Sequence, residues 1–210
     1  MKINEHGRSM TEMLGVLAII GVLSAGGLAG YGKAIYTYNM QKTVSFVSDA
    51  IFSYELFTKQ HFGPDIDLKN SNMAQKIRDY GLLPECNPEP ASLNTHTYQV
   101  CHAPLGEISP RLFFKTIDGE MNYVYELHVT FLKNHLHACS DFLVRGWDKT
   151  VPAKLWKRGT IQVVSNSKDQ LVYSLTTNKL DVSSASNTCE SVCGEAPYCS
   201  VVFTFKGVRR

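Results

Sequence analysis

Six cysteines, Cys86, Cys101, Cys139, Cys189, Cys193 and Cys199, offer the most chemistry in this chain, and two uses compete for them. Cys189-x-x-x-Cys193-x5-Cys199 has a loosely zinc-like spacing, and His135 and Cys139 share a helical face at i, i+4, with His137 between them. A two-ligand face is an incomplete metal site, and Cys139 falls on the apolar side of its segment, so no metal is expected. Disulfides fit better. The count is even, and all six cysteines follow a long apolar run that would export them to an oxidising compartment. Their connectivity stays open, and buried reduced thiols in a cytosolic chain are the alternative. Asp65, Asp67 and Asp141 read as solvated carboxylates rather than calcium ligands. There is no nucleophile elbow, phosphate loop, HExxH pair or dinucleotide fingerprint, so the expectation is a non-enzyme with no cofactor.

Something must carry those cysteines across a membrane, and the first 31 residues contain the means. Met13 to Tyr31 reads MLGVLAIIGVLSAGGLAGY, with Ser24 the one polar side chain apart from the Tyr31 hydroxyl. As a helix this run spans roughly 28 Å, close to the ~30 Å hydrocarbon core of a bilayer. Lys2 and Arg8 precede it, while Lys33 and Lys42 follow it, so basic residues orient it only weakly. A plain anchor is one reading. A conventional signal peptide cut near Ala25, Gly27 or Ala29 is another. Neither explains Glu12, a carboxylate set directly before the apolar run, where an ionisable group needs a partner or a task.

The register of these residues is more specific than their hydropathy. Gly7-Arg8-Ser9-Met10-Thr11-Glu12, followed by Met13-Leu14-Gly15-Val16-Leu17-Ala18-Ile19-Ile20-Gly21-Val22-Leu23, resembles the class III leader and N-terminal helix of type IV prepilins and type II secretion pseudopilins. The resemblance covers about 25 residues. It implies a seven-residue leader, MKINEHG, removed after Gly7 by a prepilin peptidase, with Arg8 as the new N-terminus and the candidate for N-methylation. It also implies Glu12 at the fifth mature position, where the family carries its assembly glutamate. Arg8 departs from the apolar residue usual at that position. The implied partners are other pilin subunits, the prepilin peptidase and the bacterial inner membrane, with the folded domain outside the cytoplasm.

The physics of that arrangement is simple. A carboxylate in a low-dielectric filament core is strongly disfavoured unless paired, so a neighbour's α-amino group at Arg8 would both neutralise Glu12 and fix the axial register. Gly21, Ala25 and Ala29 recur four apart, as do Gly26 and Gly30, giving small-xxx-small faces along which helices can approach closely. Five glycines between Gly15 and Gly30 weaken the helix by up to ~1 kcal/mol each where exposed.

No proline interrupts the chain before Pro64, and Met40, Val44, Val47, Ile51 and Tyr54 repeat at helical spacing, widened by Phe46, Ala50 and Phe57. One helix is therefore expected from Ser9 to His61, ended by Gly63-Pro64. A short helix is expected over 72–80, then a proline-punctuated loop with short extended pieces through Pro110. Leu112–Ile117 and Glu120–Leu132, joined at Asp118-Gly119, read as a hairpin whose second strand buries Tyr123, Tyr125, Leu127, Val129 and Phe131. A helix is expected over His135–Trp147, and strands over 160–164, 170–175 and 200–205. The fold class is α+β: a long helix, its first half membrane-embedded, against an antiparallel sheet, as in a pilin-like roll with a C-terminal disulfide region. The expected division is leader 1–7, membrane or filament-core half 8–31, amphipathic half 32–62 and an extracytoplasmic domain over 63–210. A net charge of +2 gives no reason to expect nucleic acid.

Overall fold

A computed structural model of the chain describes residues 10–61, 79, 86, 89–93, 96–117, 120–132, 135, 137–145, 147, 159–165, 169–174 and 182–206. The expected leader, the helix over 72–80, the Gly63-Pro64 stop and the Asp118-Gly119 turn lie outside those residues or nearly so. The described chain is α+β. It divides into two compact units, Met1–Asn39 and Met40–Arg210. Helix α1 (Met10–His61, 52 residues) supplies the whole described part of the first unit and the opening of the second.

In the second unit the buried stripe of α1 is Met40, Thr43, Val47, Ala50, Ile51 and Ser53. Val44 was expected on that stripe but is half-buried, and Thr43 is fully buried in its place. The stripe is thus rotated towards small hydroxyl side chains. A helix tolerates these because the hydroxyl can return to its own backbone, as Ser48 Oγ does by donating to the Val44 carbonyl at 2.8 Å.

Among the described residues seven strands form one antiparallel sheet: β1 (Glu89–Leu93), β2 (His96–Ala103), β3 (Gly106–Ile117), β4 (Glu120–Leu132), β5 (Gly159–Val164), β6 (Asp169–Ser174) and β7 (Tyr198–Lys206). Their spatial order is β1-β2-β3-β4-β7-β5-β6. The last strand in sequence is therefore inserted between β4 and β5. The residues around Pro90, Pro104 and Pro110, expected as loop, are largely strand. Pro104-Leu105 makes the tight β2–β3 turn. β2 pairs with β3 only over Gly106–Ile108, so Pro110 lies past that ladder, where its missing N–H is tolerated.

Period-two alternation gives the sheet two unlike faces. On one, Cys101, Ile108, Val129, Val201 and Val163 run as a single buried row across five strands. Tyr125, Leu127 and Phe131 of β4 and Phe203 and Phe205 of β7 continue that face, all buried. Helix α2 (His137–Leu143) packs there through Phe142, whose ring centroid lies 5.4 Å from Phe131 and 6.0 Å from Phe203. α2 is shorter than expected. It stops at Leu143, and the Trp147 indole N–H donates to the Phe142 carbonyl at 2.8 Å, occupying an acceptor that a further helical turn would use.

Helix α3 (Val182–Cys193) has no counterpart in the expected elements. Its sequence, VSSASNTCESVC, is poor in strong helix formers. It ends where the Gly194 N–H donates to the Glu190 carbonyl at 2.9 Å. A Cβ on Gly194 would stand 2.7 Å from that same oxygen, so the turn requires glycine.

Candidate functional site

Three features of the chain have chemistry to offer: the first half of α1, the cysteines, and the second face of the sheet. From Met10 to Ile35 every residue of α1 is exposed, including Leu14, Leu17, Ile19, Ile20, Val22 and Leu23 at 53–74%. By length and composition, Met10–Ser53 is long and apolar enough to cross a membrane, and its apolar window is 0% buried within the chain. Glu12 stands exposed in the first turn, where a carboxylate complements the positive end of the helix dipole. Gly7 and Arg8 lie outside the described residues. Gly21, Ala25, Gly26, Ala29 and Gly30 are all helical and exposed. A Cβ built on Gly15, Gly21, Gly26, Gly27, Gly30 or Gly32 would meet nothing within 4 Å.

All six cysteines are bridged: Cys86 to Cys101, Cys139 to Cys189, and Cys193 to Cys199, with Cα–Cα separations of 5.2, 6.1 and 5.3 Å. The first ties the chain ahead of the sheet to β2. The second joins α2 to α3, and the third joins the end of α3 to β7. The last two are neighbours, with Cys199 Sγ 3.5 Å from Cys139 Sγ, both fully buried. Cys139 is thereby removed as a partner for His135 and His137, whose rings lie 6.2 Å apart. Among the described residues no group of three or more His, Cys, Asp or Glu side chains is placed to hold a metal ion.

Comparison with family models, with curated proteins and with solved structures gives no match. Function must therefore be argued from the chain itself.

The second face of the sheet is polar. Ser109, His128, Val202 and Gln162 stand in one row and Arg111, Glu126, Thr204 and Thr160 in the next. His128 Nε2 lies 3.0 Å from Glu126 Oε2, and Thr130 Oγ1 is 2.9 Å from Ser200 Oγ. Burial lowers the pKa of His128, Arg111 adds to that, and the hydrogen bond and charge of Glu126 oppose it. The alternation of Glu126, His128 and Thr130 along β4 marks a common face in the sequence. That Arg111 and Ser109 stand across from them depends on strand register, which the sequence does not display.

Proposed function

We propose that the chain is a structural subunit (a pilin, minor pilin or pseudopilin) of a type IV pilus or type II secretion-like filament. In this reading it enters the bacterial inner membrane as a prepilin and loses residues 1–7 to a prepilin peptidase. It then assembles through the first half of α1, with its disulfide-bonded domain outside the cytoplasm.

The observation that carries the reading is the exposed apolar half of α1, with glycines beside which a Cβ would meet no described atom within 4 Å. Soluble proteins rarely expose continuous apolar surface on this scale, so the segment needs an apolar surrounding. A lipid anchor would need apolar side chains but not six glycines, each up to ~1 kcal/mol worse than alanine in an exposed helix. Close approach by other helices gives the glycines a use. Glu12 fits the same picture, since subunits packed in register bring a neighbour's Arg8 α-amino group to its carboxylate.

Mass spectrometry of the protein from the native envelope tests this directly. The expected mature chain begins at Arg8. A chain beginning near Ala25–Tyr31 would instead identify a secreted, disulfide-stabilised binding module. An intact Met1 leader in cells with an active peptidase would leave a simple anchor.

A further inference from the structure

The two adjacent bridges raise a question that neither answers alone: what holds α3 in place? Among its described side chains, Ala185, Cys189, Val192 and Cys193 are buried, and two of these are half-cystines. Ser183, Ser184, Ser186, Asn187, Glu190 and Ser191 are exposed. Ala185 and Val192 bury little apolar surface for a helix of weak intrinsic propensity. Covalent ties at its final two turns therefore add to its packing against α2, β5, β6 and β7 in holding α3 to the domain. By contrast, α2 has Phe142 and Leu143 in the core, the Phe142–Trp147 contact at 4.6 Å, and Trp147 stacked edge-on at 4.9 Å from Phe203.

We propose that the four cysteines form an exchange unit in which Cys139 and Cys199 pair with each other when α3 is released. The donor is a dithiol reductant. Of the four cysteine residues Cys189 is the least buried, at 6% against 0–1% for the others, so the reductant's attack is placed there. A mixed disulfide forms at Cys189 and the Cys139 thiolate leaves. That thiolate already lies 3.5 Å from Cys199 Sγ. It attacks Cys199, forming Cys139–Cys199 and expelling the Cys193 thiolate. The reductant's second thiol then resolves the mixed disulfide and frees Cys189. Two electrons pass from the dithiol, which becomes a disulfide, and two protons end on Cys189 and Cys193. The result ties α2 directly to β7 and leaves α3 held by no bridge. The core face of the sheet keeps its covalent staple while one surface helix is let go.

Limited reduction of the purified wild-type protein with dithiothreitol, acid quench and alkylation tests the exchange. Cleavage at Glu190 and Glu195 separates the three C-terminal cysteines for mapping. Molecules that have gained two thiols should carry the Cys139–Cys199 peptide pair, with Cys189 and Cys193 alkylated. Amide exchange over Val182–Cys193 should accelerate about tenfold or more, with β4 and β7 unchanged. Molecules with two thiols among Cys139, Cys189, Cys193 and Cys199 that keep either Cys139–Cys189 or Cys193–Cys199, and never show Cys139–Cys199, overturn the proposal. The Cys189→Ser/Cys193→Ser double variant gives an independent reading. It should form Cys139–Cys199 unaided and keep native tryptophan fluorescence, whereas a folded variant with free thiols at Cys139 and Cys199 also overturns it. Should that variant not fold, the wild-type map alone decides.

Discussion

Glycine serves opposite purposes in the two units. In the sheet unit a Cβ on Gly106 would collide with the Thr130 carbonyl oxygen, and one on Gly159 would stand 3.0 Å from the Phe205 ring. These glycines are demanded by neighbours within the chain, and the packing around them is closed. In the first half of α1 the glycines meet nothing, and the apolar side chains between them face outward. The glycines of the sheet unit are thus fixed by contacts inside that unit, while those of the helix half have no described neighbour. The proposed function rests on that contrast, and it can be attacked from either side.

The largest effect is expected on the unsatisfied side. Glu12→Gln keeps size and hydrogen bonding but removes the charge that would meet a neighbour's α-amino group at Arg8. A plain anchor should tolerate the change or insert slightly better. For a filament subunit, an ammonium group left buried without its counter-ion loses on the order of 3–5 kcal/mol per contact. Every subunit repeats that contact. Membrane level and leader removal should stay normal while incorporation into sheared or co-purified filaments falls sharply, partially if the Arg8 side chain reorganises the charge. Wild-type incorporation at equal expression sinks the pairing. The thermal stability of the sheet unit should not move at all.

Phe203→Ala inverts that pattern. Phe203 is fully buried against Phe142 and Trp147, so truncation should destabilise the sheet unit by about 3–5 kcal/mol. Denaturant unfolding followed by far-UV circular dichroism should show it. Leader cleavage should be unaffected, because the helix half makes no use of that core. If removal of the leader failed as well, the two regions would not be as separable as their glycines suggest.

Much of this division was legible from the sequence, for a physical reason. The apolar run of α1 and the alternation in β4 are local periodicities, and they correctly mark a long helix and a strand with Tyr125, Leu127, Val129 and Phe131 inward. What the sequence did not display depends on distant partners. α3 is composed against its own propensity and is held by Cys139 and Cys199, which lie 50 residues before Cys189 and 6 after Cys193. Pro110 hides a strand because it falls past the short β2–β3 ladder. Thr43 replaces Val44 on the buried stripe because the rotation of a helix about its axis is set by what it packs against.

A matched pair of glycine substitutions sharpens the contrast further. Gly106→Ala should cost roughly 1–3 kcal/mol in the sheet unit through overpacking against β4. Gly26→Ala should do the reverse in an isolated α1 peptide in detergent, stabilising the helix by up to ~1 kcal/mol, since no described atom opposes the methyl. Its penalty should appear only in filament assembly. Equal assembly by Gly26→Ala and wild type would leave the small-residue faces without a role.

The smallest effect concerns His128, whose protonation burial disfavours. It tests whether the sheet unit is closed on its polar face as well as its apolar one. Burial pushes the His128 pKa below its ordinary 6.5, and Arg111, on the opposing strand, adds to that; Glu126, hydrogen-bonded at 3.0 Å, pulls the other way without prevailing. Ser109 and Val202, the cross-strand neighbours, bring no compensating charge. The unfolded chain therefore takes up a proton near pH 6.5 that the folded chain refuses. Stability from this group is full above pH 6.5 and declines as the pH falls from there towards the lowered folded value, below which the loss is complete. Urea midpoints measured between pH 7.5 and 5.5 should fall with pH in the wild type. His128→Gln, which can still donate to Glu126, should show a shallower fall over the same window, with the remaining histidines common to both proteins. Parallel curves would mean that His128, whose side chain is 16% exposed, takes up its proton in the folded state as readily as in the unfolded chain.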